Sequence, residues 1–324
     1  MAETIFRTDA AALIPVEQSK QIIQGIVEDS AVLKLAKRLP NMSSKTLKMP
    51  VLNSLPYAYF VNGDTGLKQT TKASWDSKII TAEEVAVIVT VADSILADSE
   101  YDMWAQIRPL VSQAFGQVID KAILHGINKP DSWPTAIITD AVAKGNVVTA
   151  TSDGFADIMA PGGLISLVEE DGYLVNGYMG AMQSRAYLRG IRDEHGMPIF
   201  RNGMTGGTSY ALDGQRIEFP RNGALAPTGA GSPMLIGGDW DQLVYAIRQD
   251  MTVTKTNTGV ITDDDGKVIQ NLYQQDMTAL RFVMRLGWQL PNPVSALGAV
   301  NSYPFAVLKS AEPTTPPEDT EGNE

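Results

Sequence analysis

Between Met49 and about Leu96 the chain has the period of β-strands but no surface of its own on which to lie. The stretch opens with Tyr57-Ala58-Tyr59-Phe60-Val61, passes through Gly63, Gly66, Thr70 and Thr71, and closes on Lys78 to Val91. In the closing part Val85, Val87, Val89 and Val91 alternate with Ala86, Ile88 and Thr90, which puts successive side chains on opposite faces of a strand. The pattern predicts a long two-stranded excursion. An isolated hairpin is at best marginally stable in water, so this one requires a surface, and another subunit can supply it. The stretch before it makes the same demand. From Met1 to about Arg38, Ile22, Ile23, Ile26 and Val27 form one short apolar patch ahead of Lys34, Lys37 and Arg38. It reads as an arm with one helical piece and too little apolar surface for a core.

From Asp98 to Gly126 the period changes. Trp104, Ile107, Val111, Phe115, Val118, Ala122 and Ile123 recur at three- and four-residue spacing, predicting one long helix with a single apolar face. Ser99 with Asp102 resembles an N-terminal cap, Gly126 suits the C-terminal stop, and Pro109 predicts a bend. After Trp133 and Pro134 the elements become short and glycine-rich: a helix is predicted over Gly177–Asp193 and strands over Gln215–Phe219 and Met234–Ile236. A strand pair is predicted over Thr252–Lys255 and Val268–Tyr273, around the turn signal Asp263-Asp264-Asp265-Gly266. The strand Thr278–Gln289 sets Leu280, Phe282, Met284 and Leu286 on a core face against a second face with Arg281 and Arg285. The segment Glu312–Glu324, rich in Pro, Thr and acidic residues, has nothing to bury and is expected to be flexible.

Composition narrows the function classes. With no cysteine there are no disulfides, thiolate metal sites or cysteine nucleophiles, and His125 and His195 are the only imidazoles. Neither histidine has a neighbouring motif that suggests a triad, so both are read as structural or surface residues. Asp263-Asp264-Asp265-Gly266 resembles the start of a calcium loop, but the twelfth position is Gln274 where such a loop needs a bidentate Glu, and a hairpin turn is the expectation. Gly162-Gly163 and Gly206-Gly207 do not follow strands at phosphate-loop spacing and are read as loops. No catalytic residue, metal site or cofactor is expected. The formal charge of -11 argues against broad contact with a phosphate backbone. No apolar run approaches the ~18 residues of a membrane-spanning helix, and no secretory signal is read at the start, so assembly in a cytoplasm and no membrane partner are expected.

The order of arm, long hairpin, long helix, mixed α/β region and late strand resembles the major capsid proteins of tailed bacteriophages with the Hong Kong 97-type fold. The block Leu235-Ile236-Gly237-Gly238-Asp239-Trp240-Asp241-Gln242-Leu243-Val244-Tyr245, then Met251-Thr252-Val253 and Asp276-Met277-Thr278-Ala279-Leu280-Arg281-Phe282-Val283-Met284-Arg285, is similar to that family's succession of Gly-Asp-aromatic element, strand, loop and Arg-bearing strand. A second echo runs from Met182 to Ile199, where a helix leads into Asp193-Glu194-His195-Gly196-Met197-Pro198.

The resemblance implies an α+β fold with an N-terminal arm (1–50), an extended loop (51–97), a peripheral domain (98–132 and 245–290), an axial domain (133–244 and 291–311) and an acidic tail (312–324). It implies a non-enzymatic subunit that self-assembles into hexamers and pentamers of an icosahedral shell around double-stranded DNA, in a virion built in the host bacterial cytoplasm. The partners it implies are further copies of the chain, a separate scaffolding protein, a portal and decoration proteins, with the DNA enclosed and not read by sequence. Some members join subunits by an isopeptide bond between a loop Lys and a peripheral Asn. Lys68, Lys72 and Lys78, with Asn257 and Asn271, are the candidates that this carries over. The alternatives are an encapsulin-like compartment shell and an enzyme on an α+β fold.

Overall fold

Ser30 starts the first described helix by accepting a hydrogen bond from Leu33 N through its side chain, and four of the five residues of that helix, α1 (Ala31–Leu35), are buried. The structure, a computed structural model, describes residues 30–60, 70–98, 103–192, 211–225, 231–263, 265–293, 297 and 302–311, without the side chains of 97, 98, 103–106 and 108. The apolar patch of Ile22, Ile23, Ile26 and Val27, His195, the Gly206-Gly207 pair and the acidic tail lie outside the described residues, and within the predicted arm the described helix is α1. Contacts divide the chain into two units: Met1–Ala136 with Asp241–Ala296, and Ile137–Trp240 with Leu297–Glu324.

The first unit is organised on a four-stranded sheet of order β1-β10-β13-β4. Its members are β1 (Lys37–Arg38), β10 (Val244–Thr256), β13 (Met277–Gln289) and β4 (Glu83–Ala92). β13 lies antiparallel between β10 and β4, with Phe282 opposite both Val253 and Val87. Leu280, Phe282, Met284 and Leu286 are buried as the alternation requires. Its second face exposes Arg281 and Arg285, the charge read there from the sequence, while Ala279 and Val283 on that face are buried. The predicted pairing of Thr252–Lys255 with Val268–Tyr273 is corrected: Thr252–Thr256 pair with Ala279–Val283, while β12 (Val268–Asn271) pairs with β11 (Val260–Thr262) in its own small hairpin. A thirteen-residue β13 offers β10 a partner along its length, which a four-residue β12 cannot.

Two helices follow β4: α2 (Asp93–Asp98), and α3 (Met103–His125), which continues through Pro109. The cap signal at Ser99 and Asp102 lies outside the described residues. Ile107, Val111, Phe115, Ala122 and Ile123 are buried as read from the period. Val118 is 45% exposed, and Ile119 takes the buried place because four-residue steps from Ile107 through Val111 and Phe115 lead to 119. Gly126 ends the helix in the left-handed region at φ 74° and donates to Ala122 O at 3.1 Å.

The second unit holds a six-stranded sheet of order β5-β14-β9-β6-β8-β7. Its strands are β5 (Val147–Thr149), β6 (Gly177–Gly180), β7 (Ala211–Leu212), β8 (Gln215–Glu218), β9 (Pro233–Gly238) and β14 (Phe305–Lys309). Its helices are α4 (Ile137–Lys144), α5 (Gly154–Met159), α6 (Leu164–Glu170) and α7 (Ser184–Gly190). The helix predicted over Gly177–Asp193 is therefore a strand followed by a shorter helix. All four residues of β6 are buried, and a Cβ at Gly180 would crowd the Phe219 ring, so Gly180 allows close packing on a central strand. Glycine is also required at 238, where a Cβ would collide with the Pro304 carbonyl oxygen across the β9–β14 ladder. Ile158, Leu164, Val168, Tyr178, Leu188, Leu235 and Leu308 make the core of this unit.

Candidate assembly surface

The excursion read from the sequence is a hairpin of β2 (Thr46–Ser54) with β3 (Ser74–Thr81). The first strand lies earlier than predicted: no strand runs through Tyr57–Phe60, where Pro56 removes a backbone donor, and Val61 lies outside the described residues. Register pairs Leu47 with Ile80, Met49 with Lys78 and Val51 with Asp76, and on the alternate face Lys48 with Ile79, Pro50 with Ser77 and Leu52 with Trp75. The first face turns inward at the root. Ile80 and Ala82 are buried with Met42, Val244 and Ala246, with Leu39, Leu47 and Met49 packed around them.

The alternate face has no such cover among the described residues. Trp75 is 68% and Ile79 44% exposed, and beyond the paired strands Tyr57 is 64% and Phe60 101% exposed. Leu55 and Tyr59 extend the same exposed series. Large apolar side chains concentrated in one thirty-residue stretch mark an interaction surface, where scattered ones would not. A second exposed group lies on the β11–β12 hairpin: Val260, Val268 and Ile269, with Tyr273 just after it.

The hairpin root is polar. Glu83 Oε1 accepts from Ser132 Oγ at 2.8 Å and lies 3.4 Å from Lys45 Nζ, while Glu84 Oε2 accepts from both Nε and Nη2 of Arg285, at 2.9 and 2.6 Å. Lys45, Glu83, Glu84 and Arg285 line a cleft of about 300 Å³ together with Ala82 and Arg248. The pairs are solvent-screened, so their worth lies in orientation more than in stability.

Of the residues carried over for a cross-link, Lys68 lies outside the described residues. Lys72 precedes β3 and Lys78 lies on it, both exposed. Asn257 sits in the turn between β10 and β11, and Asn271 ends β12. No hydrogen bond joins either lysine to either asparagine within the protomer; the Asn271 side chain instead donates to Gln274 Oε1 at 2.9 Å and accepts from Gln274 N at 3.3 Å. Asp263 closes the β11–β12 turn, its carboxylate accepting from Lys267 N at 2.8 Å and its carbonyl from Gly266 N at 3.0 Å. That is the hairpin-turn arrangement, and among the described residues no group of three or more acidic or histidine side chains could hold a metal ion. His125 is the last residue of α3.

The strongly shifted groups are tyrosines of the second unit. Burial pushes the Tyr178 and Tyr303 hydroxyls up, and at Tyr187 burial acts with the hydrogen bond to Asp157 in the same direction. All three hydroxyls stay protonated at neutral pH. The sequence reading missed Asp120, Trp133 and Gln289, whose partners are 52 to 210 residues away. Trp133 was legible only as the start of a change in composition.

Residues 10–299 match the phage capsid family. A major capsid protein of Staphylococcus phage 80alpha is 28% identical over 306 residues, covering 92% of this chain and 85% of that protein. A chain solved from Microbacterium phage Oxtober96 is 34% identical, covers 92% of this chain and 94% of its own length, and superposes with a TM-score of 0.73. One from Mycobacterium phage Adephagia is 29% identical, with coverage of 97% and 100% and a TM-score of 0.75. The α+β architecture is that of the Hong Kong 97-type capsid proteins. Hairpin, long helix, mixed region and late strand follow in the order that the resemblance led us to expect, and the chain belongs to the phage capsid family.

Proposed function

We propose that this chain is the major capsid protein of a tailed phage, the repeating subunit of an icosahedral shell that encloses double-stranded DNA. The observation that carries the reading is the hairpin's exposed face, Trp75 and Ile79 with Tyr57 and Phe60 beyond, on a protein matched to phage capsids over most of its length. A head-to-tail contact between unlike surfaces closes into rings, and copies joined as hexamers and pentamers then close a shell. Stable interfaces of that kind bury roughly 2,000–5,000 Å², which an arm and a hairpin extend far enough to supply. The family match favours a phage shell over an encapsulin-like compartment, and the family's role is structural.

On this reading 1–50 is the arm, 51–97 the extended loop, 98–132 with 245–290 the peripheral domain, and 133–244 with 291–311 the axial domain. The division of contacts at Ala136, Asp241 and Leu297 supports that partition. Assembly in the host cytoplasm with a separate scaffolding protein, a portal and decoration proteins belongs to the same proposal. The charge of -11 suits a wall that encloses DNA without holding it.

Replacing Trp75 and Phe60 together by serine is expected to abolish shells in electron micrographs. Unfolding stability should stay within about 0.5 kcal/mol, because both side chains are solvent-exposed in the protomer. Full shell yield from this variant would remove the hairpin face from the interface. The resemblance also carries the isopeptide bond, which denaturing electrophoresis of purified particles decides. A ladder of multimers is its signature, and a single band near 35.0 kDa excludes it.

A further inference from the structure

Two backbone carbonyls at the root of β3 are held from the side by residues far away in sequence. Ile79 O accepts from Gln289 Nε2 at 3.0 Å, and Thr81 O accepts from Trp133 Nε1 at 3.2 Å. Residues two apart in a strand turn their carbonyls to the same edge, so both anchors grip one edge of β3. The anchors are themselves fixed. Trp133 is 4% exposed and meets Trp288 edge-on, with ring centroids 6.4 Å apart and planes at 84°. Gln289 ends β13 and accepts from Leu290 N at 3.0 Å through its other amide atom. Gly287 lets the strand come close, since a Cβ there would collide with the Thr81 carbonyl oxygen.

What the anchors control follows from the connection between the two sheets. Only Ala82 separates β3, in the hairpin, from β4, in the four-stranded sheet, and its N–H donates to Lys45 O at 2.8 Å. On the β3 side the chain therefore passes from one sheet to the other through a single residue, beside the apolar root around Ile80 and Met42. The eight residues of β3 form a lever of about 26 Å at ~3.3 Å per residue, so a pivot of about 10° moves the far end by about 5 Å. A displacement of that size is comparable to the spacing between neighbouring side chains on an interface.

We propose that Trp133 and Gln289 are positioning residues that set the angle at which the hairpin leaves its unit, and so where its exposed face meets a second copy of the chain. The second half of this inference rests on the capsid reading; the first does not.

The absence of cysteine permits a direct test. Spin labels on Ser77→Cys in the hairpin and Lys255→Cys on β10, both exposed, report the angle as a distance distribution in the soluble full-length chain. Trp133→Phe keeps a buried ring and loses the donor; Gln289→Glu keeps the acceptor for Leu290 N and loses the donor to Ile79 O. The parent should give one narrow distribution, and each variant one at least twofold wider, with shells of mixed diameter or unclosed sheets. Distributions as narrow as the parent's overturn the anchor. Wide distributions with shells of the single parental diameter overturn the positioning role. If Trp133→Phe does not fold, Gln289→Glu decides alone. A parent that makes no shells sinks the capsid reading, and the distances still judge the anchor.

Discussion

Replacing Trp240 by alanine is expected to destabilise the second unit by roughly 3–5 kcal/mol, the range for truncating a buried large aromatic. Trp240 is fully buried, and its indole N–H donates to Gly177 O at 3.0 Å on the edge of β6. Its ring meets Phe305 of β14 edge-to-face, with centroids 5.1 Å apart and planes at 70°. The backbone N–H of Trp240 donates to Asn176 Oδ1 at 2.9 Å, and Asn176 Nδ2 donates in turn to Asp239 at 2.7 Å. Its side chain thus ties the ends of β6 and β14, two residues beyond the end of β9. Substitution by phenylalanine should cost less, because the ring volume is largely kept and only the Gly177 carbonyl loses its donor. Urea denaturation of the soluble chain, followed by Tyr and Trp fluorescence, measures both. A Trp240→Ala loss below about 1 kcal/mol would contradict this account of the core.

The second large effect lies at Asp120, a carboxylate with no solvent exposure on α3. Its two oxygens accept from Ser30 Oγ at 2.5 Å and from Ala31 N at 3.0 Å, at the start of α1. Ser30 Oγ donates to Asp120 while it accepts from Leu33 N, so the carboxylate holds the residue that caps the helix. Asp120→Ala strands two buried donors at a cost of roughly 1–3 kcal/mol each. Asp120→Asn keeps one acceptor oxygen and should lose about half as much. Denaturation curves give the stability, and trypsin cleavage at Lys34, Lys37 and Arg38, faster in Asp120→Ala than in the parent, locates the loss at α1. Equal cleavage rates would mean that the carboxylate does not hold the helix in place.

Periodicity was the legible part of this fold. β4 alternates between partly buried and exposed positions over Glu83–Val89, and β13 keeps Leu280, Phe282, Met284 and Leu286 on one buried face, so a period of two identifies both from sequence. α3 was legible for the same reason, although the four-residue steps that select Ile119 over Val118 needed a consistent count. Where the reading went wrong, the local pattern was short. Gly177–Gly180 is too brief for alternation to show, and Gly180 makes sense only beside Phe219. At Tyr57–Phe60 aromatic residues imitate a strand, but their surface is exposed and has no strand partner among the described residues. β12 was given the wrong partner because a turn signal fixes the bend and not the strands on either side of it. The anchors Trp133 and Gln289 and the carboxylate of Asp120 were out of reach for a different reason. Their contacts cross 52, 210 and 90 residues, and nothing local distinguishes them from other core or edge residues.

The assembly surface was legible as a deficit. A hairpin with strand period and no core of its own implied a neighbour before any fold was known, and the exposed face of Trp75 and Ile79 is where that neighbour has room to bind. Electron microscopy of the purified full-length chain, expressed with its scaffolding protein if one is required, tests this most directly. The account predicts closed icosahedral shells whose reconstructed map places the Trp75 face of each hairpin against an adjacent subunit. A chain that stays monomeric, or shells in which that face points to solvent, would contradict it.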